Sequence, residues 1–100
     1  MKFVIRALDG ADEGAPARRL AARPAHLEQA NAMIKDGRLL YAAALLNDND
    51  ETVGSLLVCK FSTRDKLEQW LSIEPYVIAK VWQSIDIHPC TPVFGKAVGA

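Results

Sequence analysis

One histidine and one glutamate stand out as side chains that can move a proton. His26 lies in the segment Arg23-Pro24-Ala25-His26-Leu27, and Glu74 stands directly before Pro75 and Tyr76. Histidine is the usual general base of enzymes. A carboxylate beside it selects its tautomer and stabilises the imidazolium that forms. We therefore take His26 as the candidate catalytic base and Glu74 as the acid that orients it.

Three further side chains are candidates for contact with a substrate. Ser55 offers a hydroxyl that can hydrogen-bond a substrate oxygen, and Arg19 or Arg23 can hold an anionic group. Tyr76 is a further candidate for binding the substrate. A purely structural explanation competes with this one, because ion pairs also stabilise folds and aromatic side chains commonly fill cores and interfaces.

Other kinds of chemistry find no support in the sequence. The chain has no G-x-G-x-x-G, Walker or G-x-S-x-G motif. His26 and His88 belong to different predicted elements and have no cluster of cysteines around them, so no metal site is expected. Cys59 and Cys90 form no C-x-x-C pair, and Cys59 is expected to be a buried, reduced thiol. We expect a protein without a metal or another cofactor.

Composition indicates one small globular domain, residues 1–100. Half of the residues are apolar, and 12 basic residues balance 12 acidic ones, so the formal net charge is zero. A neutral chain lacks the basic surface of proteins that bind nucleic acids or anionic membranes. The apolar start Met1–Ile5 is too short for a signal peptide or a membrane span. These features predict a cytoplasmic protein that binds neither nucleic acid nor membrane.

Runs of apolar residues, bounded by Gly, Pro and Asp or Asn clusters, predict four strands and two main helices. Pro24 is expected at the first position of the longer helix, with Gly37 at its end. In chain order the predicted elements are a strand Lys2–Leu8, a loop Asp9–Pro16, a helical turn Ala17–Ala22, a helix Pro24–Asp36, strands Arg38–Leu45 and Thr52–Phe61, a helix from Ser62 or Thr63 to Leu71, a helical turn from Pro75 and a strand Val81–His88.

This order predicts a ferredoxin-like α+β fold, βαββαβ, with both helices on one face of an antiparallel sheet. Alternation along the strands assigns an almost wholly apolar set of side chains to the helix-covered face: Phe3, Ile5, Ala7, Leu57, Cys59, Phe61, Val81, Ile85 and Ile87. The opposite face mixes charged residues with Val4, Leu8, Leu56, Val58 and Trp82. A sheet face of this composition is typical of an interface, so we expect a homodimer.

The same topology predicts that the candidate site residues meet. His26 in the first turn of its helix, Ser55 at the start of the third strand and Glu74 after the second main helix all fall at one end of the fold. A helix N-terminus favours the neutral imidazole, which can accept a proton.

Several segments resemble the YciI-like, or YCII-related, family. They are, in chain order, Arg19-Leu20, Arg23-Pro24-Ala25-His26-Leu27, Gly37-Arg38-Leu39-Leu40, Gly54-Ser55, Trp70, Glu74-Pro75-Tyr76, Pro89 and Val93-Phe94. The resemblance implies a dimeric α+β barrel of ferredoxin-like subunits. It also implies an active site around His26 and around Glu74, which stands where the family usually has the Asp of an Asp-Pro-Tyr motif. Related barrels include a dehydrochlorinase and muconolactone isomerases.

This chain departs from the family pattern at two places, one of which is the Glu in place of Asp before Pro-Tyr. After Gly37-Arg38-Leu39-Leu40 the family usually has Ala-Gly-Pro, whereas Ala42-Ala43-Ala44-Leu45 stands here. The resemblance favours a cofactor-free lyase or isomerase that acts on a small cyclic or aromatic compound through the His–acid pair. The alternatives are a non-catalytic dimeric domain that binds a small molecule or a partner protein, and a purely structural pairing module.

Overall fold

Four strands and three helices make up this computed structural model, which describes residues 1–100. In chain order they are β1 (Lys2–Asp9), α1 (Ala15–Lys35), β2 (Leu39–Leu46), β3 (Thr52–Lys60), α2 (Arg64–Leu71), α3 (Pro75–Ile78) and β4 (Trp82–Cys90). The strands form one sheet in the order β2-β3-β1-β4, and every neighbouring pair is antiparallel. The ferredoxin-like prediction is confirmed.

The core lies between one face of the sheet and the helices. Strand alternation predicted this face correctly for β1 and β3, whose predicted residues are buried. Met33 of α1 and Leu67 of α2 pack into the same cluster. Ile85 and Ile87 of β4 are only half-buried and pack against its margin. Because β4 is an edge strand, it also accommodates Pro89, which the sequence analysis had placed beyond its end.

Trp82 lies on the helix-covered face, so its predicted place on the opposite face is wrong. The register pairs Ser84 with Leu8 and Trp82 with Asp9, which leaves Gln83 as an extra residue, a β-bulge. Side chains alternate with a period of two, so one inserted residue reverses the alternation beyond it.

Helix α1 is a single helix of 21 residues, and its predicted division into two pieces at Pro24 is wrong. The proline near the helix start is Pro16, which suits that position because the first turn has no use for its N–H. Pro24 lies inside the helix and removes the hydrogen bond to the carbonyl of Leu20. Leu20 and Pro24 are both exposed, so solvent can satisfy that carbonyl.

The far end of α1 follows the prediction. Gly37 adopts a positive φ of 81° directly after the helix, and two backbone bonds close the last turn, from Gly37 N to Ile34 O and from Arg38 N to Met33 O. This is the Schellman arrangement, in which glycine is favoured because it lacks a Cβ. The chain then enters β2 without a further turn.

The face of the sheet opposite the helices has no covering element. Neighbouring strands place Tyr41, Val58 and Val4 in one row across it, and Ala43 and Leu56 in the next. Val4, Leu56 and Val58 are half-buried by their neighbours on the sheet alone, and Tyr41 is exposed. We call this surface the open sheet face. No helix of the chain combines the length and apolar character needed to cross a membrane.

Candidate active site

The side chains of His26 and Glu74 meet although they are 48 positions apart in the sequence. Nδ1 of His26 lies 2.9 Å from Oε1 and 3.2 Å from Oε2 of Glu74. Glu74 is 1 % exposed, and Oε1 also accepts a hydrogen bond from the backbone N–H of Tyr76 at 2.8 Å. An ionised carboxylate can only accept, so we assign the proton to Nδ1 and the free lone pair to Nε2.

His26 reaches Glu74 from the middle of α1 and not from its first turn, where the sequence analysis had placed it. The helix begins at Ala15 and runs to Lys35, so the partial charges of its N-terminus lie several turns away from the imidazole. The expected influence of the helix N-terminus on His26 is therefore wrong. Glu74 is the charged group that faces this ring.

Glu74 is held in place by the short helix that follows it. Its side chain caps the N-terminus of α3, which begins at Pro75, through the bond to the Tyr76 N–H. A buried carboxylate needs such partners because unpaired burial of a charge is costly. The Glu74 side chain is one methylene longer than the aspartate of the family motif, and it reaches both His26 and the Tyr76 N–H.

Tyr76 and Trp82 enclose the imidazole of His26. The rings of His26 and Tyr76 are stacked, with centroids 3.9 Å apart and planes inclined by 11°. Trp82 stands edge-on to both, at 5.8 Å from His26 and 5.5 Å from Tyr76. Burial raises the pKa of the Tyr76 phenol, and the nearby guanidiniums of Arg19 and Arg23 partly oppose this effect. The phenol therefore stays protonated at neutral pH.

The guanidinium of Arg19 is held by other side chains of the protein. Its Nη1 donates to both carboxylate oxygens of Asp9 at 2.9 Å, and its Nη2 donates to the Ser55 hydroxyl at 3.1 Å. The guanidinium also lies over the ring of Tyr76, 4.8 Å from its centroid. Little charge is left uncompensated on Arg19.

Arg23, one turn further along α1, is the available cation of this site. It forms no ion pair with any carboxylate of the chain. It is exposed and lines the same cavity as His26. Of the two arginines that the sequence offered for holding an anion, Arg23 is therefore the one whose charge is free.

The Ser55 hydroxyl receives two hydrogen bonds. Arg19 Nη2 and Trp82 Nε1 both donate to its Oγ, each at 3.1 Å. A hydroxyl has two acceptor lone pairs and one hydrogen, so only the hydrogen is left for a further partner. Gly54 lets β3 approach β1 here, because a Cβ at this position would stand 2.4 Å from the carbonyl oxygen of Ala7.

These side chains surround a cavity of about 190 Å³ between α1 and β2. His26 and Arg23 line it from α1 and Tyr76 lines it from α3, whereas Ser55 of β3 and the alanines of β2 line it from the sheet. Ala42 and Ala44 are on the helix-facing side of β2 but remain exposed, because α1 does not cover them. The small side chains of β2 thus leave the space open.

The structure brings together every candidate site residue of the sequence: His26, Glu74, Arg19, Ser55 and Tyr76. Two further residues of the site were not predicted from the sequence: Asp9 was expected in a loop, and Trp82 on the other face of the sheet. The odd-numbered alternation of β1 could have revealed Asp9, because it continues Phe3, Ile5 and Ala7 onto the helix-covered face. No group of three His, Cys, Asp or Glu side chains is close enough to hold a metal ion.

A family model and proteins of similar sequence identify the family of this chain. The model of the YCII-related domain family matches residues 1–91. The proteins named YciI from Escherichia coli and Shigella flexneri are each 33 % identical over 100 residues, which covers 94 % of this chain and all of the relative. An uncharacterized protein of Haemophilus influenzae is 29 % identical over 83 residues, 77 % of this chain and 85 % of that protein.

Among solved structures, the fold is similar to that of 5-chloro-2-hydroxyhydroquinone dehydrochlorinase from Burkholderia phenoliruptrix in complex with 2,5-dihydroxybenzoquinone. The TM-score is 0.69 at 20 % sequence identity, and the match covers 98 % of this chain and 99 % of that chain.

Proposed function

Because the chain belongs to the family of YCII-related domains, we propose that it is a cofactor-free enzyme of the lyase or isomerase type. Its substrate is a small, anionic, cyclic or aromatic compound. The observation that carries this proposal is the 2.9 Å contact between His26 Nδ1 and Glu74 Oε1 beside a cavity. This contact leaves the basic Nε2 of His26 for the substrate.

His26 acts as the base. Nε2 takes a proton from the substrate, and Glu74 stabilises the imidazolium that results. The electron pair released on the substrate moves toward an oxygen atom, to which the Ser55 hydroxyl donates its hydrogen. In an isomerase the imidazolium returns the proton at another atom of the substrate. In a lyase a leaving group departs with its bonding electrons as an anion.

The cavity suits a single small ring. A cavity of about 150 Å³ in a protein core is enough for benzene, and the present one measures about 190 Å³. Tyr76 lines the cavity, and Arg23 supplies a positive charge at its rim. We propose that Arg23 binds the anionic group and that Arg19, with Asp9, positions Ser55.

The similarity to the dehydrochlorinase supports this substrate class. That protein acts, by its name, on a chlorinated hydroxyhydroquinone, and its structure contains a dihydroxybenzoquinone. Removal of hydrogen chloride from such a ring needs a base and a hydrogen-bond donor for the ring oxygen. His26 and Ser55 are a base and a donor beside the same cavity.

The acting unit is proposed to be a homodimer of single-domain chains, residues 1–100, joined through the open sheet face. Tyr41, Val58 and Val4 lie side by side on that face, which has no covering element. Surfaces of this kind are favourably buried against a second copy. Both cysteines are free thiols, which fits a cytoplasmic location.

The direct test uses the compound in the name of the dehydrochlorinase and the compound bound in its structure. 2,5-Dihydroxybenzoquinone is titrated against the ¹⁵N-labelled protein, and release of chloride from 5-chloro-2-hydroxyhydroquinone is measured. We expect saturable shifts of the Trp82 indole signal and catalysed chloride release. The His26→Asn variant should lose at least about 100-fold in rate, the usual contribution of a general base.

Lys35→Gln, a change on the exposed face of α1, is the matched control and should keep full activity. Binding of the quinone without any difference in rate between wild type and His26→Asn would favour the non-catalytic binding domain. Absence of binding would contradict the proposed substrate class.

A further inference from the structure

A second cavity, larger than the first, lies at the opposite end of β3. It measures about 440 Å³ and is bounded by α1, α2 and the segment around the end of β3. No residue lines both cavities. Ser55, near the start of β3, belongs to the first cavity, and Lys60, its last residue, belongs to the second. The volume is in the range of sites that bind small molecules. We call it the α2 groove.

The α2 groove is positively charged. Arg38, Lys60 and Lys66 line it, and no acidic residue does. Arg38 is paired with Asp36 at 2.8 Å, whereas Lys60 and Lys66 pair with no carboxylate of the chain. Two ammonium groups without counter-charges on one concave surface attract anions, because the surrounding protein focuses their field.

Trp70 lines the groove and carries an unused hydrogen-bond donor. Its side chain belongs to the core and packs on Phe61, with ring centroids 5.7 Å apart. The residue is 5 % exposed, and Nε1 is buried without any acceptor. The other tryptophan, Trp82, donates to Ser55. Buried indole N–H groups usually have a partner, so the unpaired donor of Trp70 calls for one.

Gln29 shows the same property from the α1 side. Its side-chain oxygen is buried and has no hydrogen-bond partner, and the residue lines the groove together with Trp70. A terminal amide offers both a donor and acceptor to a ligand. Ile73 adds an apolar edge, since it lines the groove and is 60 % exposed.

We propose that the α2 groove binds a small organic anion that carries a phosphate or carboxylate group. The anionic oxygens pair with Lys60 and Lys66 and accept the hydrogen bond of Trp70 Nε1. The apolar part of the ligand rests against Ile73 and Phe61. This site shares no residue with the cavity of His26, so its ligand binds apart from the substrate.

The test follows the indole N–H signals of Trp70 and Trp82 in ¹H–¹⁵N NMR spectra, assigned with the Trp70→Phe and Trp82→Phe variants. Phenyl phosphate and benzoate are titrated as the two anionic probes, and benzyl alcohol as the neutral one. We expect the Trp70 signal to shift saturably with at least one anion, and the benzyl alcohol to leave it unmoved. Whichever anion binds identifies the head group.

The variant Lys60→Gln/Lys66→Gln should weaken this binding by at least about tenfold, a change of 1.4 kcal/mol. Lys35→Gln removes a lysine outside the groove and should bind as the wild type does. The proposal is overturned if the Trp70 signal moves with neither anion, or if the double variant binds as tightly as the Lys35→Gln protein.

Discussion

The guanidinium of Arg19 is paired with the carboxylate of Asp9 at 2.9 Å in a nearly enclosed position, where the two side chains are 15 % and 6 % exposed. Arg23, one helical turn away, has no such partner. The two arginines of α1 therefore have different roles: Arg19 binds to residues of the site, and Arg23 is free to bind an anion.

Replacement of Arg19 by Gln should destabilise the fold by about 3 kcal/mol, because the Asp9 carboxylate would remain buried without its counter-charge. Chemical denaturation measures the free energy of unfolding. The double variant Asp9→Asn/Arg19→Gln should recover most of the loss. Arg23→Gln is the matched control and should unfold like the wild type; an equal loss in Arg23→Gln would refute the division of roles.

His26 should be the Nδ1–H tautomer when neutral, since Nδ1 faces the Glu74 carboxylate. Long-range ¹H–¹⁵N NMR spectra distinguish the two nitrogens, and His88 serves as the internal reference. Glu74→Gln keeps an acceptor oxygen for the Tyr76 N–H but removes the charge that stabilises the imidazolium. It should therefore reduce turnover while the stability of the fold changes little. An Nε2–H tautomer in the wild type would remove the basis for His26 as the base.

Cys59 should react slowly with thiol reagents in the native protein. Burial raises the pKa of its thiol to about 12, so almost no thiolate is present at neutral pH. Cys90 is half-buried and provides the comparison within the same molecule. Labelling followed by mass spectrometry should find Cys90 modified first, and a native Cys59 that reacts as fast would contradict its burial.

The same thiol should make the fold less stable at high pH. The unfolded chain loses the Cys59 proton near pH 9.0, whereas the folded chain keeps it until about pH 12. The unfolded state thus binds fewer protons in this interval, and the free energy of unfolding falls as pH rises. Denaturation curves should show a steeper loss above pH 9.0 for the wild type than for Cys59→Ala. Parallel pH profiles would show that another group is responsible.

Val58→Asp should convert the proposed dimer to a monomer. Val58 lies in the middle of the open sheet face, so an aspartate there would place a charge in the apolar row that the second copy is proposed to cover. Light scattering at micromolar concentration gives the mass of each protein. Asn31→Asp adds the same charge on the exposed side of α1 and should stay dimeric. A wild-type monomer would disprove the homodimer.

The fold could be predicted from the sequence because its alternation and turn signals agree over most of the chain. Phe3, Ile5 and Ala7 continue the core face of β1, and Gly37 ends α1 where its positive φ is needed. Thr63 caps α2 with its side chain, as expected from its place before the helical pattern. In each case a local rule and the tertiary structure require the same residue.

The wrong predictions arise where a local rule fits the sequence in two ways. A proline favours the first turn of a helix, and two prolines were candidates; the helix begins at Ala15, has Pro16 in its first turn and continues through Pro24. The alternation of β4 was counted without the bulge, so Trp82 was given the wrong face. A bulge is set by the pairing of two strands distant in sequence, and a single strand contains too little information to locate it.

The site residues themselves could be found, but their roles required the contacts. His26 and Glu74 follow from residue type and topology. Arg19 and Arg23 look alike in the sequence, and only the position of Asp9 separates them. No sequence pattern predicts the unpaired donor of Trp70, because it results from the absence of an acceptor beside Nε1 in the folded structure.

The extra residue of β4 also bears on how this chain can vary in length. Gln83 has no partner on β1, so a deletion there would join Trp82 to Ser84 and make the strand regular. Trp82 and Ile85 would still face the helices, and the ring against His26 would stay in place. β4 can therefore lose this one residue and keep Trp82 against His26, so an alignment gap at this position is compatible with an unchanged site.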